Sequence, residues 1–290
     1  IRSYYERPVL KSPTWRPFVP AYFYLGGLAA GSSLLAAGAD ATGDRRLGRA
    51  TRYTALGAIG AGSVALVADL GRPERFHHML RVVRPSSPMN VGSWVLAAYG
   101  PAVGVAAISE MTGVARPVGR LATWTAAALA PAVATYTAVL TSDTAIPAWH
   151  EVRATLPALY AAGAAATAGA VAVIIEPRAM PARRVAIGAA AGEAAIASVL
   201  HRRLPDDVAR AYTTGRAHRL QRAATVTSAC GAALVATAGR RRRAHTRVGG
   251  ALIAIGAACE RFAVYEAGKA SAADPRATIG PQKARLQASS

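Results

Sequence analysis

Eight apolar stretches of roughly 17 to 25 residues fill the chain, at about 18–40, 51–70, 90–110, 121–142, 156–176, 184–201, 219–238 and 248–267. A helix rises 1.5 Å per residue, so about 20 residues cross a hydrocarbon core of about 30 Å. The runs are continuous and lack the period-two alternation of a barrel strand, so they predict helices. The expected fold is all-α, a polytopic membrane bundle of about eight transmembrane helices. It occupies residues 18–268, with an extramembrane N-terminal segment at 1–17 and an extramembrane tail at 269–290. None of the runs carries a metal-ligand pair in its interior, so any redox centre is expected in a partner.

Charge placement supports this reading. Lys and Arg number 34 against 15 Asp and Glu, for a net charge of +19, yet the basic residues fall almost wholly between the apolar runs. Nucleic acid is not expected as a partner, because the charges are scattered over short loops without interleaved aromatics. Anionic membrane lipids and topology account for them better. An even number of spans puts both termini on one side, here side A, with the loops near 71–89, 143–155 and 202–218. Side B holds the loops near 41–50, 111–120, 177–183 and 239–247. Its loops are short and basic, with Arg45, Arg46 and Arg49 in one and Arg240 to Arg243 in another. Side A mixes its cations with Glu74, Glu151, Asp206 and Asp207. The positive-inside rule then makes side B cytoplasmic and places the termini on the outer face of the cytoplasmic membrane.

Small residues at spacing four, such as Gly27 with Gly31, Gly57 with Ala61 and Gly188 with Gly192, predict close helix packing in lipid. A compositional bias toward Ala is the alternative. Cys230 and Cys259 each stand alone in an apolar run, where a lone cysteine behaves as a small hydrophobe. With no CxxC pair, neither an iron–sulfur cluster nor a zinc knuckle is expected in this chain, and no metal site. The opening residues are polar and mixed, so no cleavable signal is expected. The first residue is not Met, so a few residues are expected to precede it.

Ionisable residues inside the apolar runs are costly, about 2.5 to 3.5 kcal/mol each at the bilayer centre, so their presence calls for a reason. Glu193 lies midway along the sixth run and Glu260 with Arg261 in the eighth. One reading is a path for protons; the other is a buried Glu–Arg pair that locks helices together. Arg261 points to a different helix face from Glu260, so Glu193 or Asp69 is its expected partner. Asp40, Glu110 and Glu176 end runs on side B, where they either form the far mouth of such a path or simply sit at helix ends.

Several side-A segments are organised enough to be motifs: DLGRPERF from Asp69, SPMNVGSW over Ser87 to Trp94, and YTAVLTSDTAIPAW over Tyr136 to Trp149. Together with Tyr4-Tyr5-Glu6-Arg7-Pro8, the first run from Val19 to Gly31, Glu260-Arg261-Phe262 and Glu266 to Ala270, they resemble the NrfD/PsrC family. These are the membrane subunits of polysulfide-reductase-like molybdenum oxidoreductases. The resemblance covers essentially the whole chain and is least distinctive from about 180 to 245.

The resemblance implies a subunit without haem that exchanges electrons between menaquinone, or another quinone, and an iron–sulfur partner holding several 4Fe–4S clusters. That partner in turn serves a molybdopterin subunit with molybdenum or tungsten, with formate dehydrogenase the favoured type. The six histidines agree with the lack of haem, since all lie in loops or at run ends. The family's quinone head group is held by polar residues on the first and fourth spans. Those positions map to Tyr22 and to Tyr136, with Thr135 one residue, about 100°, away; interface-belt tyrosine is the alternative. Asp69 either serves the quinone or pairs with Arg72 or Arg75. Asp143 and His150, with Glu193, Glu260 and Arg261 deeper, are the proton-transfer candidates. The rival classes are a secondary transporter, which should show an internal repeat that is not evident here, and a scaffold that never touches quinone.

Overall fold

The computed structural model describes residues 9–238 and 242–289. Residues 4–8 of the resemblance and Arg240 and Arg241 of the basic run lie outside them. Among the described residues every element is helical. In chain order they are α1 (Phe18–Thr42), α2 (Arg45–Asp69), a 3-10 helix (Pro73–Leu80), α3 (Pro88–Thr112) and α4 (Arg116–Ser142). The short α5 (Pro147–His150) leads to α6 (Leu156–Ile175) and α7 (Met180–Arg203), and α8 (Asp206–Thr213) to α9 (Gly215–Thr237). The chain closes with α10 (Arg243–Ala273) and α11 (Pro275–Ser289).

Eight of these helices have twenty or more residues and coincide with the eight apolar runs. Five of them, α1, α3, α4, α6 and α10, are long and apolar enough to cross a membrane. The count becomes six if α2 and the 3-10 helix, bent by 108°, form one span. Helices α7 and α9 fall short because charge enters their ends, Arg183, Arg184, Arg202 and Arg203 in one and Arg216, Arg219 and Arg222 in the other. The expectation of eight transmembrane helices is therefore met in number and position of long helices, and only five or six carry spanning composition.

Local chemistry sets the boundaries. Gly43 (φ 74°) and Gly113 (φ 70°) end α1 and α3 in the left-handed conformation that glycine adopts without Cβ penalty. The Asp44 carboxylate caps α2 by accepting the Leu47 N–H at 3.1 Å. Pro101 and Pro131 sit inside α3 and α4, as bundled membrane helices tolerate.

The bundle is built around α6, which packs against α1, α4, α7 and α10, while α2 and α3 complete one half and α9 the other. Its interior is made of small residues: Ala29, Ala30, Ala130, Ala166, Ala168 and Ala170 are almost fully buried, as are Ser32 and Thr137. A few large side chains, such as Trp149, Tyr99, Leu156 and Leu159, are buried among them, while Val64, Ile108, Met111 and Leu121 are well exposed. A small-residue interior with exposed large apolar side chains suits helices solvated by lipid, where close backbone packing replaces the hydrophobic drive.

Gly31 supplies one such approach, since a Cβ there would lie 2.5 Å from the Ala164 carbonyl oxygen of α6. Gly57, Gly188 and Gly192 do not; nothing lies within 4 Å of where their Cβ atoms would be. The spacing-four pattern is thus a packing device in α1 and only composition in α2 and α7. Nor are the cysteines core residues: Cys230 is exposed and Cys259 half-buried.

Two arginines close the second half. Arg183 of α7 donates through Nη2 to the Val235 carbonyl at 2.5 Å and to that of Ala238, capping α9. Arg247 of α10 donates to the Ile174 carbonyl at 3.1 Å, near the end of α6. Each satisfies carbonyls that the ending helix leaves without an intrahelical partner. At the other end α10 runs on to Ala273, past the expected boundary at 268, and α11 packs back on α8.

Gly268 of α10 lies flat against the Trp149 indole, where a Cβ would run into Cε2, Cζ2 and Nε1. Gly268→Ala should destabilise the protein by about 1–3 kcal/mol through overpacking. Gly188→Ala should cost nothing. Thermal unfolding of both variants in detergent checks the contrast.

Candidate functional site

Polar side chains gather at three levels of the bundle. On side A the Tyr22 hydroxyl of α1 meets the Tyr136 hydroxyl of α4 in a hydrogen bond, with ring centroids 6.5 Å apart. Tyr22 is almost completely buried. Glycines make room for both rings. A Cβ on Gly92 of α3 would collide with the Tyr136 ring, and one on Gly62 of α2 would lie 3.3 Å from Tyr22 Cδ2. The phenol pair is thus enclosed by the first four helices, with Leu66 and Leu96 among its partly buried apolar neighbours.

Above it the N-terminal segment folds down. Trp15 stacks on Trp149 at 5.2 Å, and Trp149 Nε1 donates to the Val264 carbonyl at 2.7 Å. The Tyr265 hydroxyl donates to the Trp15 carbonyl at 2.5 Å. Asp69 accepts the Arg16 backbone N–H at 3.1 Å. It forms no ion pair with Arg72 or Arg75, so that expected pairing is replaced by an anchor for the N-terminal segment. His150 follows Trp149 in α5; its Nδ1 is buried without a hydrogen-bond partner among the described residues. Tyr212 of α8 donates to the Ala148 carbonyl at 3.2 Å, and burial pushes its phenol pKa up, keeping it a neutral donor.

Two candidates stand apart. The Thr135 hydroxyl donates to the Pro131 carbonyl of its own helix at 2.8 Å, one turn back. Asp143 ends α4 as an exposed residue whose N–H meets the Val139 carbonyl at 2.9 Å.

At the middle level Arg261 of α10 lies 3.7 Å from Glu193 of α7, donates to the Tyr160 carbonyl of α6 at 2.8 Å, and stacks over the Tyr160 ring at 4.1 Å. Of the two expected partners, Glu193 and Asp69, the structure brings Arg261 to Glu193. Gly163 of α6 leaves the space, since a Cβ there would strike both Glu193 Oε1 and Arg261 Nη2. Glu260 faces the other way, toward α9, and accepts from Gln221 at 2.7 Å. Glu193, Glu260, Gln221 and His201 share the wall of a cleft of about 190 Å³ between α7, α9 and α10.

Aromatic rings connect the two levels. Tyr22 meets Phe23 at 6.4 Å and Phe23 meets Tyr160 at 5.8 Å, so packed rings run from the phenol pair to the buried ion pair.

The third level, on side B, centres on Arg52, a residue absent from the expected set. Its Nη2 lies 2.5 Å from both Asp40 oxygens, its Nη1 3.1 Å from Glu110, and its Nε 3.1 Å from Thr123. The available signal was an arginine just inside the second apolar run, with Asp40 and Glu110 ending helices at the same depth. Gln221 and Tyr160 carried no signal, because a polar amide and a ring at helix positions are common. Among the described residues no group of three or more His, Cys, Asp or Glu is placed to hold a metal ion.

Two comparisons bear on this arrangement. A family model described as Polysulphide reductase, NrfD, matches residues 10–184, a stretch that holds the phenol pair and the Arg52 network. A selenate reductase subunit from Mesobacillus selenatarsenatis is 34% identical over 89 residues, which cover 30% of this chain and 20% of that protein. The matched stretch therefore spans about a fifth of the curated relative.

The middle level predicts a stability pattern. Arg261→Met strands Glu193 in an apolar interior and should cost about 3–5 kcal/mol, whereas Glu193→Leu combined with Arg261→Met should recover most of it. Chemical or thermal unfolding of the two variants reads the difference. A double variant no better than the single one would exclude a simple locking pair.

Proposed function

The chain belongs to the polysulphide reductase NrfD family, and on that premise we propose that it is the membrane anchor and quinone-reactive subunit of a molybdopterin oxidoreductase complex. It is a multi-pass membrane protein with five or six candidate spans. In the proposed topology α7 and α9 also cross, giving eight spans with both termini on the outer face. Their terminal arginines reach the interfaces, as long basic side chains do at helix ends.

The observation that carries the proposal is the phenol pair. Tyr22 and Tyr136 place two hydroxyls against each other at the side-A end of the bundle, bracketed by glycines of α2 and α3 and by apolar side chains. One hydroxyl donates to the other, and the remaining O–H can serve one carbonyl oxygen of a quinone head group. Menaquinone, when bound, supplies two-electron, two-proton chemistry. The chain's own part is to orient the head group and to move protons. The Tyr22–Tyr136 pair donates one hydrogen bond to the head group, and Asp69 and His150, whose Nδ1 has no hydrogen-bond partner among the described residues, are the proton-exchange groups of this reading near the same end. Glu193, Glu260 and Arg261 lie deeper, behind Phe23 and Tyr160, and serve in this reading as the inward proton relay. Thr135 and Asp143 have lesser claims, since one hydroxyl is spent on its own helix and the other group faces outward.

Electrons would arrive from 4Fe–4S clusters of an iron–sulfur partner seated on side A, itself fed by a molybdopterin subunit. Formate is the donor we propose for that subunit. A second reading is favoured by the relative named for selenate reduction: electrons then leave a quinol and travel outward to a reductase.

Purification of the native complex, with identification of its subunits and metals, tests the partners. Molybdenum or tungsten with several clusters supports the proposal, and a nickel hydrogenase partner replaces the formate donor. In that complex Tyr136→Phe should slow menaquinone reduction about three- to tenfold, the loss of one hydrogen bond, while cluster reduction by the substrate stays unchanged. An unaltered quinone rate in a Tyr22→Phe, Tyr136→Phe double variant would sink the assignment.

A further inference from the structure

At the end of the bundle opposite the phenol pair, a cleft of about 410 Å³ opens where α1 and α3 end and α2 and α4 begin. Five arginines line it, Arg45, Arg49, Arg52, Arg116 and Arg120, against two carboxylates, Asp40 and Glu110. The carboxylates are already taken. Arg52 holds both, and Arg49 bonds the remaining Glu110 oxygen at 3.0 Å. The side chains of Arg45, Arg116 and Arg120 have neither an ion pair nor a hydrogen bond among the described residues, and all three are exposed. The first turn of α4 also opens here, with no side chain capping its N-terminus.

A cavity with surplus guanidinium groups favours an oxyanion, because the planar fork matches two phosphate oxygens at once. In the proposed topology the cleft lies at the membrane end of the first four helices, at the depth of lipid headgroups, where the anions at highest local concentration are lipid phosphates. We propose that this cleft binds the phosphate headgroup of an anionic glycerophospholipid, held by Arg45, Arg116 and Arg120. Arg52, locked to Asp40 and Glu110, forms the floor and keeps those carboxylates from repelling the headgroup. The site stands on its own geometry and needs no quinone to be bound elsewhere.

Native mass spectrometry of the intact, solubilised complex tests it by titration with phosphatidylglycerol, phosphatidylcholine or inorganic phosphate. Phosphatidylglycerol should saturate one adduct at a concentration about tenfold or more below that needed by phosphatidylcholine. Arg45→Gln, Arg116→Gln and Arg120→Gln together should abolish that preference while the subunits stay assembled. Equal retention of the two lipids by the unmodified complex overturns the proposal. So does displacement of phosphatidylglycerol by an equal concentration of inorganic phosphate, which would make the cleft a free-anion site. A triple variant that keeps the lipid preference overturns it as well.

Discussion

Arg261 is held by three helices at once, and the second half of the bundle is organised about that grip. Its guanidinium reaches Glu193 on α7, the Tyr160 carbonyl and ring on α6, and departs from α10. An unpaired charge at that depth would be prohibitive, so the three helices must keep one register relative to one another. Gly163 is part of the same constraint, because any side chain there would occupy the place of the ion pair. Arg52 imposes the matching constraint on the first half, tying α1, α2, α3 and α4 through Asp40, Glu110 and Thr123.

Between these two fixed points the interior is mostly alanine, which packs closely but specifies little. Specificity comes from the few large residues that each fill one glycine-backed recess: Tyr136 over Gly92, Tyr22 over Gly62, Trp149 over Gly268. These recesses cluster at side A, where the N-terminal segment is pinned by the Trp15–Trp149 stack and the Asp69–Arg16 contact. In the proposed assembly a partner on this face would meet the N-terminal segment, which these contacts hold above the phenol pair.

Much of this was legible in the residues. Continuous apolar runs marked where the eight long helices lie, because an uninterrupted apolar stretch of about twenty residues fits a long buried helix better than a strand. The helical offset between Glu260 and Arg261, with the cost of burying a charge alone, narrowed the partner of Arg261 to Glu193 or Asp69, and the fold brings it to Glu193. The Tyr22–Tyr136 meeting rested on the resemblance, since two tyrosines 114 residues apart share no local signal. What could not be read was three-dimensional. Glycines at spacing four look alike in α1 and α7, yet only those in α1 face a neighbour. Asp69 had two arginines within six residues and chose a backbone N–H from another segment. The runs at 184–201 and 219–238 read as spans like the others, yet α7 and α9 lack spanning composition because their ends carry charges, some of which, Arg183 and Arg216 among them, reach other helices.

The exchanged arginines at the ends of α6 and α9 cross-link two hairpins. The α6–α7 hairpin lends Arg183 to α9, and the α9–α10 hairpin returns Arg247 to α6. Each hairpin thus completes carbonyl ends of the other. Separating the two pairs of helices costs both sets of bonds at once, so the reciprocal loan ties the last four long helices into one unit.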